Sequence, residues 1–99
     1  MFGKIAEMKK AMEAVKLRLD SISVEGTAGG GQVKVVMTAN MEVREIIIAP
    51  DLMTVNRKEE LEELLSVAIT QAIASAKNVS ETELKAAGRG LLPDIPGLF

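Results

Sequence analysis

The sequence predicts an α+β fold in which two long helices flank a three-stranded antiparallel sheet, in the order α-β-β-β-α. Three observations carry that reading: an apolar seam through the first twenty residues, three short β-branched segments, and a wide apolar stripe beyond residue 57. Ninety-nine residues make one domain, and a monomer of that size buries only about 60 to 65% of the surface its unfolded chain exposes. The core must be aliphatic, because Phe2 and Phe99 are the chain's only aromatic residues. A core so thin makes association between subunits an expected source of further burial.

Met1, Ile5, Met8, Met12, Val15, Leu19 and Ile22 recur at alternating steps of four and three, which lays one seam along a helix over residues 2–19. Ile22 and Val24 then alternate with Ser21, Ser23 and Glu25, the mark of a short strand. A glycine run follows. Val33 to Thr38 and Val43 to Ile48 give two more strands, separated by "TANME" and rich in β-branched residues. Alternation turns Ile46 and Ile48 toward the core and leaves Ile47 on the opposite face, where it is either a dimer contact or a lone exposed isoleucine. Pro50 ends the third strand, and "PDLMTV" connects to the second helix.

Asn56 with Glu59 resembles a capping box, and Glu59, Glu60, Glu62 and Glu63 sit where a helix N-terminus favours negative charge. Leu61, Leu64, Leu65, Ala68, Ile69, Ala72, Ile73 and Ala76 trace the stripe of a helix over 57–77. Ser80-Glu81-Thr82-Glu83 repeats the capping pattern, so "SETELKAA" either starts a short third helix or continues the second. Gly88 reads as a C-cap. The domain then covers residues 1–88, and 89–99 form a Gly/Pro-rich tail whose apolar residues either dock or hang free.

Several chemistries are excluded. The chain has neither cysteine nor histidine, which removes disulfides, thiolate nucleophiles, the usual zinc sites and every Ser-His or Cys-His arrangement. Asp51, Glu42 and Glu45 lie near one another in sequence, but strand alternation separates neighbours, so no acid/base pair is expected. Met1, Met8 and Met12 fall on the seam and read as core, not as a metal or cofactor site. No enzyme activity, cofactor or small-molecule substrate is expected. No apolar run approaches the ~20 residues of a membrane span, and charges interrupt any signal-peptide core. The expected location is the cytoplasm.

"EGTAGGGQVKVV", Glu25 to Val36, concentrates four glycines in six residues and raises the question of a phosphate loop. Gly26 and Gly31 have the Walker separation, but Gln32 and Val33 stand where lysine and a hydroxyl are required, and a strand follows instead of a helix. The run reads as a hairpin turn.

The stretch from Ser23 to Leu52, "SVEGTAGGGQVKVVMTANMEVREIIIAPDL", resembles the core of the YbaB/EbfC family of nucleoid-associated DNA-binding proteins. The matching features are the opening "MFG", the V-x-G-x-x-G-x-G-x-V-K-V hairpin at Val24 to Val35, "I-x-P-x-L" at Ile48 to Leu52, "E-x-L-x-x-L" entering the second helix, and the tail "GLLPDIPGLF". The resemblance implies a tweezer-shaped homodimer at the bacterial nucleoid that binds duplex DNA through basic residues of the first and last helices. Ala39 occupies the turn position where the family's glycine is expected.

Charge is distributed to suit that implication despite a net of −2. Residues 1–19 carry Lys4, Lys9, Lys10, Lys16 and Arg18 against Glu7 and Glu13, a local +3, whereas Asp20 to Val55 is −3. With Met8 and Val15 at heptad position d, Lys4 and Arg18 fall at g and Lys9 and Lys16 at e, so parallel self-pairing of this helix would set like charges face to face. These flanks either reach phosphates or meet an acidic surface, for which the Glu59–Glu63 cluster is available; both sets could also be solvated. Two functions follow. One is a dimeric DNA-binding protein of weak sequence preference, contacting phosphates with Lys4, Lys9, Lys10, Lys16 and Arg18, and with Lys77, Lys85 and Arg89 from the far end. The other is a protein-interaction module that uses the same dimer and the apolar tail without touching DNA. A sheet without aromatic residues argues against stacking on single-stranded RNA.

Overall fold

The computed structural model describes residues 2–91, with side chains over residues 3–88, so the expected tail lies largely outside the described residues. Helix α1 spans Phe2–Asp20, strands β1, β2 and β3 span Ser23–Ala28, Val33–Thr38 and Val43–Ile48, and helix α2 spans Lys58–Leu91. The strands form an antiparallel meander in the order β1-β2-β3. Two 3₁₀ turns, Pro50–Leu52 and Val55–Arg57, make the connection into α2.

The strand registers explain the sheet's two faces. Val33 pairs with Ile48, and Val35 with both Gly26 and Ile46, so these residues share the face on which α2 lies. Val33, Val35 and Met37 are buried there with Leu52, Ala68, Ala72 and Ala76. The alanines at four-residue spacing let the helix approach β1 closely. Gly26 is the counterpart of that stripe: a Cβ built on it would lie 2.6 Å from the Ala72 amide nitrogen and closer still to the Ala68 carbonyl oxygen. The first glycine of the run therefore serves packing, whereas Gly29, Gly30 and Gly31 have φ of 63°, 66° and 94° and make the turn. β1 is also closed at its outer edge, where the Thr27 amide donates to Gln71 Oε1 of α2 at 2.6 Å.

α2 covers β1 and β2 but leaves most of β3 bare, with only Ile48 at its end packed against the core. Ile46 points to the helix side as its alternation requires, yet it is 45% exposed, which corrects the expectation that it enters the core. Val43 and Ile47 are exposed as well. Between Val36↔Glu45 and Met37↔Val43 the ladder skips Arg44, a bulge that also disturbs the simple alternation of β3.

A second, smaller cluster lies beyond the sheet, where Val15, Leu19 and Ala39 pack with Ile22, Val79, Leu84 and Ala87. Here α1 meets the C-terminal part of α2 and the tip of the β2–β3 hairpin. Only half of the α1 seam is covered: Val15 and Leu19 are buried, but Ile5 and Met12 are 52% and 43% exposed. The result is an elongated subunit, 62 × 24 × 16 Å, with a radius of gyration of 18.2 Å, against about 13 Å for a compact chain of this length.

Two capping expectations are corrected, and one open choice is settled. Asn56 lies inside the 3₁₀ turn Val55–Arg57, and the preceding Thr54 makes no side-chain cap bond, so α2 is entered through a 3₁₀ turn and not a capping box. Ser80 to Glu83 lie within α2, and Thr82 Oγ1 donates back to the Asn78 carbonyl at 2.9 Å; the "SETELKAA" segment thus continues the second helix. That helix also passes Gly88 and runs to Leu91. Gly88 is buried within the helix and does not end it.

Candidate nucleic-acid interface

α1 is tied to the sheet at its C-terminal end. The Asn40 amide group, at the β2–β3 tip, donates to the Lys16 carbonyl at 3.0 Å and to the Asp20 carboxylate, and the Ala39 N–H donates to Ile22 O at 3.0 Å. Thr38, itself buried, holds the tip in shape by accepting from the Asn40 and Glu42 amides at 3.2 and 3.3 Å. The residue with positive φ in this turn is Met41, at 66°, not Ala39. Ala39 is buried in the second cluster, which accounts for a small apolar side chain in a turn. Sequence reasoning did not single out Asn40 or Gln71; an asparagine in a turn is its own ordinary explanation, and neither partner is near in sequence.

The basic residues of α1 do not form a single stripe. At about 100° per residue, Lys9 and Lys16 fall on one flank of the apolar seam, Lys4 and Arg18 on the other, and Lys10 on the back of the helix. All five are exposed. Arg18 Nε lies 2.8 Å from Glu83 Oε2 of α2, an ion pair that fixes the two helices in register. Among the described residues none of the four lysines is in an ion pair. On α2, Lys77 and Lys85 are exposed and lie in or next to the segment that packs on α1; Arg89 is in the last turn, its side chain outside the described residues.

The glutamates at the start of α2 cannot neutralise these lysines within one subunit. α1 meets α2 around Glu83, twenty residues or about 30 Å along the helix from Glu63. Glu60 instead takes a bidentate pair with Arg57, at 2.7 and 3.1 Å, and the Arg57 guanidinium also donates to Asp51 O at 3.3 Å. The hydrogen bond from Arg57 holds the Glu60 carboxyl below the usual glutamate range, and the same bond raises Arg57. The subunit is therefore polar along its length, with a negative end at the entry to α2 and a positive end formed by α1 and the far part of α2.

Among the described residues no group of His, Cys, Asp or Glu is arranged to hold a metal ion, and no helix is long and apolar enough to cross a membrane.

Comparison with known proteins agrees with this architecture. The YbaB/EbfC DNA-binding family matches residues 1–91. A nucleoid-associated protein of Rhodopseudomonas palustris is 42% identical over 99 residues, covering 99% of this chain and 92% of that protein. One from Flavobacterium johnsoniae is 37% identical over 98 residues, covering 99% and 91%. Among solved structures, an uncharacterized protein from Helicobacter pylori shares the fold with a TM-score of 0.71 at 21% identity, over 92% of this chain and 91% of that one.

Proposed function

Because the chain belongs to the YbaB/EbfC DNA-binding family, we propose that it is a homodimeric nucleoid-associated protein that binds duplex DNA through the positive end of each subunit. Lys4, Lys9, Lys10 and Lys16 make the main phosphate contacts, Arg18 orients α1 through Glu83 while keeping much of its own surface, and Lys77, Lys85 and Arg89 extend the contact along α2. The carrying observation is the separation of charge: four exposed lysines stand on a helix held about 30 Å from the acidic entry to α2. Attraction of DNA depends on that local field more than on the net charge. Lysines on several sides of α1, with no aromatic or amide cluster beside them, suit contact with backbone more than with base edges, so sequence preference is weak.

The dimer forms on the β3 side of the sheet. β1 is closed by Gln71, whereas β3 has a free edge, and Val43, Ile46, Ile47, Met53, Val55 and Val67 are exposed apolar residues. The subunit's accessible surface, 7004 Å², exceeds by about 1,500 Å² the value expected for a folded monomer of its mass. That excess is of the size an obligate dimer buries per subunit.

The test is a salt titration of binding to random duplex DNA, comparing wild type with the Lys9→Glu, Lys10→Glu, Lys16→Glu variant. Each phosphate contact contributes about 0.9 to the log–log slope, so loss of three contacts per subunit flattens the dimer's slope by about five. No binding by wild type even at low salt would overturn the reading and favour a protein-interaction module instead.

A further inference from the structure

We infer that Asn40, at the tip of the β2–β3 hairpin, is the positioning residue of α1 and fixes the direction in which that helix presents its lysines to DNA. An asparagine amide nitrogen has two protons to donate. Here they go to acceptors one turn apart on α1, the Lys16 carbonyl at 3.0 Å and the Asp20 carboxylate. Two bonds from one short, planar group to two points on a helix set its rotation as well as its place. Asp20 is the last residue of α1, where a carboxylate meets the negative end of the helix dipole, and the Asn40 amide is the donor that offsets its charge. Asn40 is itself held: its N–H donates to Thr38 Oγ1 at 3.2 Å, the Met41 N–H to Thr38 O at 2.9 Å, and the Thr38 N–H to Glu42 O at 2.8 Å.

Among the described residues the other ties of α1 are less directional. Ser21 Oγ donates to Arg18 O at 2.6 Å, but Ser21 adjoins the helix and moves with it. Arg18 and Glu83 meet through two long side chains, the arginine's 66% exposed, and an exposed pair of that kind contributes little. Val15 and Leu19 pack in the smaller cluster, and apolar contact has no preferred direction. From Lys16 to Lys4 is about 18 Å of helix, a stretch on which the seam residues Ile5 and Met12 are exposed. A swing of about 30° about the anchored end would carry Lys4 about 9 Å. The anchoring stands on these contacts alone, whereas its consequence for DNA rests on the reading proposed above.

The test compares the full chain with Asn40→Ala, Asp20→Asn and Asp20→Ala. Binding to random duplex DNA is read by fluorescence anisotropy at one fixed salt concentration and well below each variant's unfolding temperature. If loss of the anchor leaves each α1 in the competent orientation about a third of the time, a dimer with two such helices binds about tenfold more weakly, the result expected of Asn40→Ala. Asp20→Asn and Asp20→Ala remove the same charge, but only the asparagine keeps an acceptor for the Asn40 amide, so the alanine variant should bind about threefold more weakly than the asparagine variant. Equal affinity within that pair, or wild-type affinity in Asn40→Ala, would overturn the inference and leave the DNA reading standing. Amide hydrogen exchange tests the anchor without DNA: residues 5–14 should exchange about threefold or more faster in Asn40→Ala, while Val33 to Met37 keep their protection. No acceleration in α1 would overturn the inference whatever the chain does with DNA. Failure of wild type to bind would overturn the DNA reading and, with it, the consequence drawn for DNA.

Discussion

Gly26→Ala is the most informative single substitution for the fold. The added Cβ would lie 2.6 Å from the Ala72 nitrogen and nearer still to the Ala68 oxygen, where an ordinary contact is about 3.5 Å. Both obstacles are helix backbone, so no side-chain rotation relieves them. α2 must retreat by about 1.5 Å to clear the Ala68 oxygen, and even a gap of about 1 Å forfeits up to about half of each dispersion contact it opens. Ala68, Ala72 and Ala76 are fully buried against the sheet, so the loss extends along three turns of helix. Overpacking a core costs about 1–3 kcal/mol when side chains can yield, and here the expected loss is about 3 kcal/mol or more. Gly30→Ala is the control: nothing lies within 4 Å of its Cβ, but its φ of 66° makes any side chain unfavourable by about 1 kcal/mol. Urea unfolding followed by circular dichroism at one fixed subunit concentration measures both. If Gly26→Ala unfolds within about 0.5 kcal/mol of wild type, the close approach of α2 to β1 is refuted.

Other expectations follow from individual contacts. Met41→Gly, which removes a side chain from a residue at φ 66°, should raise stability by about 1 kcal/mol in the same assay. Asn40→Ala removes the bonds to Lys16 O and the Asp20 carboxylate and should cost about 1–2 kcal/mol; hydrogen exchange in α1 should rise more than in β2. The Glu60 carboxyl should titrate below the usual glutamate range by carbon NMR, and Arg57→Ala should return it to that range. Because the folded value is the lower one, the pair favours the folded state at pH above the unfolded glutamate value, and that contribution fades as pH falls through the folded one.

The sequence was most readable where one local rule acted alone. The period of α1 and the β-branched runs of β2 and β3 each lie within a residue or so of the elements they predict, because periodicity depends only on which side meets a neighbour. Capping patterns misled at Asn56 and at Gly88 and left the Ser80 segment open between two readings, since a helix end also depends on what lies beside it: packing against α1 carries α2 past both Ser80 and Gly88. Ile46 was placed on the correct face but not in the core, because no pattern within β3 tells that α2 is too narrow to cover a third strand. The positive charge of α1 was visible in the letters. Its separation from the Glu59–Glu63 cluster was not, since that distance exists only once α2 is known to be one uninterrupted rod.

The two apolar clusters are joined only by that rod and the hairpin tip, which makes the subunit a lever with separate anchorage at each end. The sheet cluster contains nearly all of the fully buried side chains, and the α1 cluster contains few. Opening of the smaller cluster therefore requires much less free energy than global unfolding, and amides of α1 and of α2 beyond Val79 should exchange as one early unit while those from Ala68 to Ala76 exchange late. A nucleic-acid contact on α1 would brace the weaker end of the molecule, so the load-bearing part and the adjustable part are different stretches of one helix.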